Sequence, residues 1–304
     1  MKRLIVNADD FGLTAGVNQA ISELHAAGAL SSTTLMANAQ QTAQAAHAAA
    51  ALPHLGTGCH IVLVDGEPIL PTSQIPTLID SKCRSDSSVP ARFRPSLAVF
   101  VSDLVRGRIR EADIEAEATA QIRSLLDAGV PLTHVDTHKH THMFPGVLRP
   151  VMRAAVRCNL RAIRNPFEPD WSRAATPRAG ALRRFQVRLL GSRQRYFLEQ
   201  ARLMNLATTH GALGVLATGT LDIVTLRRLL RAIPNGDWEL VCHPGYHDGA
   251  LDAARTRLRQ SREVERGALL QAIPEAVAVD PQLSLIHFGQ LTAARFPFDL
   301  HPGF

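Results

Sequence analysis

Thr133-His134-Val135-Asp136-Thr137-His138-Lys139-His140-Thr141-His142-Met143 sets four histidines and an aspartate at alternate positions. On one unbroken strand all five would share a face, but neighbours two apart would stand about 6.5 to 7 Å from each other. That is too wide for adjacent members to share one metal ion. The residues favour an apolar strand that ends near Asp136, with the histidine run turning over its end, where functional side chains gather in α/β folds. One or two of the histidines then serve as metal ligands, and the others support them or line a polar loop. A surface histidine tract or a tag remnant fits poorly, because the run is internal, mixed and set between two apolar segments.

The pattern continues on both sides. Residues 3 to 8 read as a buried strand that leaves through Asp9-Asp10-Phe11-Gly12, and Thr14 caps a helix with apolar positions Val17, Ile21 and Leu24 and a stop at Gly28. A strand over 33–36, an alanine-rich helix over 42–52 and a strand beginning at Leu55 follow. Residues 67–94 dissolve into prolines, serines and mixed charge, which reads as an insertion or lid loop within one domain. Ile114, Ala118, Ile122 and Leu125 then mark an amphipathic helix, stopped by Gly129, that feeds the histidine strand. Beyond it we expect a helix over 148–157, a strand over 161–164, an arginine-rich helical segment over 170–202 and a strand over 213–217. A helix over 220–232, a strand over 238–242, a helix over 261–273 and a strand over 283–287 complete the chain. Seven or eight βα units without a linker predict one α/β domain over 1–304, a closed or nearly closed barrel of mostly parallel strands with its site at the strand C-terminal ends.

With 46 % hydrophobic and 20 % charged residues the chain can bury a sizeable core. The N-terminus meets Asp9 and Asp10 before an apolar leader forms, and no run approaches the roughly 18 apolar residues of a membrane span, so a cytoplasmic location is expected. Cys59, Cys83, Cys158 and Cys242 form no paired motif, which suits a reducing compartment and argues against a cysteine metal site. The net charge of +6 is uneven. Arginines crowd residues 149–202, and Leu182, Phe185, Leu189 and Leu190 interleave with them at roughly helical spacing. The segment reads either as a solvated helix or as a peripheral contact with an anionic membrane; nucleic acid is not expected, since no binding motif accompanies the charge.

Four places put polar groups just after an expected strand: Asp9 with Asp10, His60, the His138–His142 run, and His243. In a barrel these ends converge on one mouth. Two adjacent carboxylates repel unless a cation lies beside them, and both reach the mouth only if the backbone turns between them. One carboxylate with two imidazoles is an open site for a divalent ion. The spare carboxylate can act as general base on water, and His243, from the opposite rim, can protonate a leaving group. Such parts perform metal-assisted hydrolysis of an amide or ester.

Val6-Asn7-Ala8-Asp9-Asp10-Phe11-Gly12, Gly58-Cys59-His60, His134 to His142 and Cys242-His243-Pro244-Gly245-Tyr246 resemble the signature blocks of the YdjC-type carbohydrate deacetylases. The resemblance spans nearly the whole chain in the family's order, and Cys59 departs from the commoner residue before the metal histidine. Softer motifs, His60 to Pro71, the lysine in His138-Lys139-His140 and the closing Phe298 to Gly303, are similar to the hopanoid-biosynthesis-associated HpnK branch. The resemblance implies a distorted α/β barrel, hydrolysis of N-acetyl groups on amino sugars and one divalent ion, zinc first, with magnesium, cobalt, nickel and iron open. It also implies Asp10, His60 and His138 as metal ligands, Asp9 as base, His243 as acid and Arg164 as a site arginine. The branch implies an N-acetylglucosaminyl hopanoid as substrate, which would give the arginine-rich segment a membrane to meet. A chito-oligosaccharide deacetylase, a metal-dependent phosphoesterase, a glycoside hydrolase and a non-enzymatic basic membrane-binding protein are the competing readings.

Overall fold

The computed structural model describes residues 1–85, 90–176 and 180–291. Seven strands form one sheet: β1 (Lys2–Phe11), β2 (Ser32–Leu35), β3 (Gly56–Ile61), β4 (Leu132–Thr137), β5 (Gly211–Leu213), β6 (Gly236–Cys242) and β7 (Leu283–Leu285). Twelve α-helices accompany them among the described residues. The first six are α1 (Ala15–Ala26), α2 (Thr42–Ala51), α3 (Ser81–Ser85), α4 (Leu97–Val105), α5 (Glu111–Asp127) and α6 (Pro145–Arg157). The rest are α7 (Asp170–Ala175), α8 (Ala181–Gly191), α9 (Gln194–Leu203), α10 (Ile223–Ala232), α11 (Gly249–Ala253) and α12 (Gln260–Val279).

Every strand pair is parallel, in the order β4-β3-β2-β1-β6-β5, with β7 set against the start of β1. The sheet curls into a distorted barrel. Between β4 and β5 the ring is carried by the expected strand at 161–164, which forms only single parallel bridges: Val135 with Ile163, and Ala162 with Ala207. Three short links therefore stand where a full strand ladder would run, since Ala212 N–H also donates to the Phe167 carbonyl.

The strands are largely buried because both faces are covered. Leu4, Val6 and Ala8 of β1 pack in one core with Val17, Ile21 and Leu24 of α1 and Ile114, Ala118, Ile122 and Leu125 of α5. The Thr14 hydroxyl accepts the Val17 N–H at 3.2 Å and caps α1. Gly58 is fixed by close approach: a Cβ there would lie 2.5 Å from the His134 ring, which stacks on Phe288 with centroids 3.8 Å apart.

Residues 67–85 and 90–94 pack onto the barrel. Ile75, Leu78, Ile79 and Phe93 are buried, and the Glu117 carboxylate of α5 accepts the Ile69 and Leu70 N–H groups at 2.9 and 3.1 Å. The periodicity reading does not anticipate α4, whose Leu97-Ala98-Val99-Phe100-Val101 run is as apolar as a strand; Ser96 starts the helix by accepting the Val99 N–H. The arginine-rich segment divides into α7, α8 and α9. Arg178 and the closing Phe298 to Gly303 lie outside the described residues, as do the side chains of Leu182, Arg183 and Leu189. Among the described residues no helix is long and apolar enough to cross a membrane.

Candidate metal centre

The two aspartates of β1 separate through a kink. Pairing with β2 shifts register between Ala8 and Phe11, and Asp10 sits in the left-handed region at φ 68°. The backbone thereby turns between adjacent residues, and both carboxylates reach the C-terminal mouth. The Gly12 N–H that follows donates to Asn18 Oδ1 at 2.7 Å, fixing the exit into α1.

Asp10, His60 and His138 meet. Asp10 Oδ1 lies 3.5 Å from His60 Nε2 and 3.5 Å from His138 Nδ1, and the two ring nitrogens are 3.3 Å apart. Donors about 2.0–2.1 Å from one tetrahedral ion stand roughly 3.3 Å from each other. The three atoms therefore fit a single divalent ion and leave a position open. His60 is aimed by its other nitrogen, because Nδ1 lies 2.7 Å from Asp136 Oδ1 and turns Nε2 to the site. Burial opposes the His60 cation, yet Asp136, with Asp9 and Asp10, lifts its pKa to about 9. Asp10 Oδ2 accepts Arg262 Nη2 at 2.5 Å. Although burial favours the neutral acid, Arg262 and the facing histidines hold Asp10 well below the carboxylate range.

Asp9 lies beside this triad, with one carboxylate oxygen within 4.8 Å of a His60 nitrogen and of an Asp136 oxygen, but its ion-pair partner is an arginine. Arg164 grips it with Nη2 at 2.6 Å from Oδ1 and Nη1 at 2.9 Å from Oδ2. The same guanidinium donates to Asp136 Oδ2 and, through Nε, to Glu239 Oε1 at 2.8 Å. A surface ion pair for Arg164 is thereby excluded: it is fully buried among three carboxylates. Burial raises Asp9, but the charge and hydrogen bond of Arg164, together with His60 and His243, outweigh it and lower the carboxyl. Glu239 goes the other way. Burial, reinforced by Asp9 and Asp136, pushes it up to about 8.

His243 follows β6 and points Nε2 at Asp9 Oδ2, 3.7 Å away. Burial lowers it to about 4 against the pull of Asp9 and Asp10. The remaining histidines divide. His134 is packed inside against Phe288, away from the triad. Lys139 and His140 adopt left-handed backbone at φ 55° and 51°, which turns the chain sharply off β4. His142 is buried with Nδ1 2.7 Å from the Thr137 hydroxyl and anchors that turn.

Asp136, Glu239, Arg262 and Glu265 border the site, and the sequence reading gave none of them a role there. Two carried a signal. Asp136 shares the alternation of the opening stretch, and Glu239 is an acid inside the apolar strand Trp238-Glu239-Leu240-Val241-Cys242, where an unpaired charge is costly. Arg262 and Glu265 lie on a helix dotted with charges, and nothing local distinguishes them.

The arrangement offers an open three-ligand metal position, an arginine-clamped carboxylate beside it and an imidazole on the far side. Comparison with known proteins agrees with the fold. A carbohydrate deacetylase of Brevibacillus brevis is 29 % identical over 290 residues, covering 95 % of this chain and 99 % of that one. A chitooligosaccharide deacetylase of Proteus mirabilis is 37 % identical over 142 residues, 46 % of this chain and 50 % of its own. The crystal structure of a putative cellobiose-phosphate cleavage protein from Enterococcus faecalis superposes with a TM-score of 0.71 at 24 % identity, covering 94 % of this chain and 97 % of that one, and shares the fold. The family of YdjC-like proteins matches residues 3–276, and the chain belongs to it.

Proposed function

We propose that this protein is a metal-dependent hydrolase that removes the acetyl group from an N-acetylated amino sugar. The observation that carries the reading is the convergence of Asp10, His60 and His138 donor atoms 3.3 to 3.5 Å apart, with Asp9 and His243 on the adjoining wall. Asp10, His60 and His138 would hold a divalent ion, zinc first, which would supply Lewis acidity for the attack of water on the acetyl group. Asp9 accepts the water's proton, with Arg164 fixing its orientation, and His243 Nε2 delivers a proton to the departing nitrogen. The relatives named as carbohydrate deacetylases support the acetyl-sugar class.

The substrate we favour is an N-acetylglucosaminyl group carried on a hopanoid. Support comes from the branch motifs, whose Asp65 and Lys139 pair at 2.8 Å beside the mouth, and from α8, where Phe185 is 63 % exposed and Arg188 is exposed. These side chains would meet an anionic leaflet. A chito-oligosaccharide is the second reading, favoured by the name of the Proteus mirabilis relative.

Metal analysis of the purified protein, paired with acetate release from diacetylchitobiose and from the glycosylated hopanoid, tests both levels. One equivalent of ion and faster release from the hopanoid are expected; faster release from diacetylchitobiose overturns the lipid assignment, and no release from any N-acetyl sugar overturns the deacetylase reading. Co-sedimentation with anionic vesicles should weaken with added salt and in a Phe185→Ser/Arg188→Ser variant. Unchanged sedimentation would dismiss the membrane contact.

A further inference from the structure

Among the buried acids that the deacetylase reading leaves without a role, Glu265 stands beside His243. Glu265 on α12 is 1 % exposed. Its Oε2 accepts the His243 backbone N–H, and its Oε1 accepts the Gly219 N–H at 3.4 Å. The same carboxylate ties together the end of β6, the turn after β5 and the first turns of α12. It also faces the His243 ring: Oε2 is 4.0 Å from Nδ1, a buried nitrogen with no hydrogen-bond partner among the described residues. On the other side of the ring Nε2 is 3.7 Å from Asp9 Oδ2. The imidazole therefore stands between two carboxylates, one at each nitrogen.

We propose that Glu265 is the positioning residue of His243, keeping the ring proton on Nδ1 so that Nε2 is the atom that takes a proton from Asp9 and passes it to the departing sugar nitrogen. This inference rests on the deacetylase reading. The proton balance closes within the site. Water loses one proton to Asp9 as its oxygen bonds the acetyl carbon. Asp9 hands that proton to Nε2, and Nε2 gives it to nitrogen as the carbon–nitrogen bond breaks, leaving a free amine and the acetyl group as acetic acid. During the transfer the ring carries both protons, and the Glu265 carboxylate opposite Nδ1 stabilises that cation. Asp9 is suited to hand on the proton, since Arg164 holds it as the carboxylate. The charged groups acting on His243 are Asp9 and Asp10 of β1, Arg164 beyond β4, and Arg262 and Glu265 of α12.

The test compares two leaving groups on the zinc-loaded full chain. Diacetylchitobiose needs a proton on its nitrogen; 4-nitrophenyl acetate releases a phenolate that needs none. Glu265→Gln should lower amide turnover about tenfold or more, with KM changed less than about twofold and ester turnover less than about threefold. The ratio of amide to ester rates within one preparation cancels any difference in folded fraction. In a His243→Ala background, Glu265→Gln should add no further loss, because its effect runs through that ring. An unchanged ratio, or a full additional loss without His243, overturns the proposal. Wild-type protein that cleaves the ester and no N-acetyl sugar overturns the deacetylase reading, and this inference with it.

Discussion

Arg262 Nη2 donates to Asp10 Oδ2 at 2.5 Å, so that Oδ1 alone of that carboxylate faces His60 and His138. Both partners are buried, Arg262 at 0 % and Asp10 at 4 % exposure. Removing one member of such a pair strands the other charge, at a cost of about 3–5 kcal/mol. A bound divalent ion would neutralise Asp10 from the other side. Arg262→Met should therefore destabilise the metal-free protein strongly and the zinc-loaded protein less, read as two thermal denaturation midpoints for each variant. Equal losses with and without zinc would mean that Asp10 does not meet the ion.

In the proposed centre Asp136 would act on an ion through His60, whose Nδ1 it holds at 2.7 Å, whereas His138 would offer a donor atom directly. Losing an outer carboxylate that aims a ligand costs about 10–100-fold in metal affinity. Asp136→Asn is expected to retain metal at that reduced affinity, and His138→Ala to lose stoichiometric metal in equilibrium dialysis. Asp9→Asn should keep the metal and lose turnover, because the Asp9 carboxylate is clamped by Arg164 and approached by His243, outside the Asp10–His60–His138 donor set. Wild-type metal content in His138→Ala would remove it from the ligand set.

The barrel was legible from the sequence because short strand segments, such as the apolar start of β1, alternate with helices of regular apolar spacing, as at Val17, Ile21 and Leu24. Position alone marked the places where a polar residue ended a strand, Asp9, Asp10, His60, the His138–His142 run and His243; the choice of His138 within that run came from the family resemblance. The turn of the histidine run off β4 followed from the spacing argument, and left-handed Lys139 and His140 provide it. What escaped was set by long-range packing. Arg164 sits on a segment with single bridges in place of a ladder, so its three carboxylate partners come from β1, β4 and β6, 155, 28 and 75 residues away. Arg262 and Glu265 reach the mouth from a helix whose register on the barrel is fixed by Ala268, Leu269, Ala272 and Ile273 packing in the core, information that no local pattern carries.

Glu239 links the buried charge network to stability. Its carboxyl, buried beside Asp9 and Asp136, is raised from an unfolded value of 4.5 to about 8. The folded state therefore holds a proton that the unfolded state has released between those values. The contribution is fully present below pH 4.5, falls as pH rises, and is lost above about 8. Within that window the slope from this one group approaches at most about 1.4 kcal/mol per pH unit. Glu239→Gln keeps an acceptor for Arg164 Nε and carries no titrating proton. Urea unfolding at pH 5 and pH 8 should show the wild type losing more stability than the variant over that interval. If the two proteins lose stability in parallel, Glu239 is already ionised in the fold at pH 5, and the Arg164 cluster carries a full third negative charge.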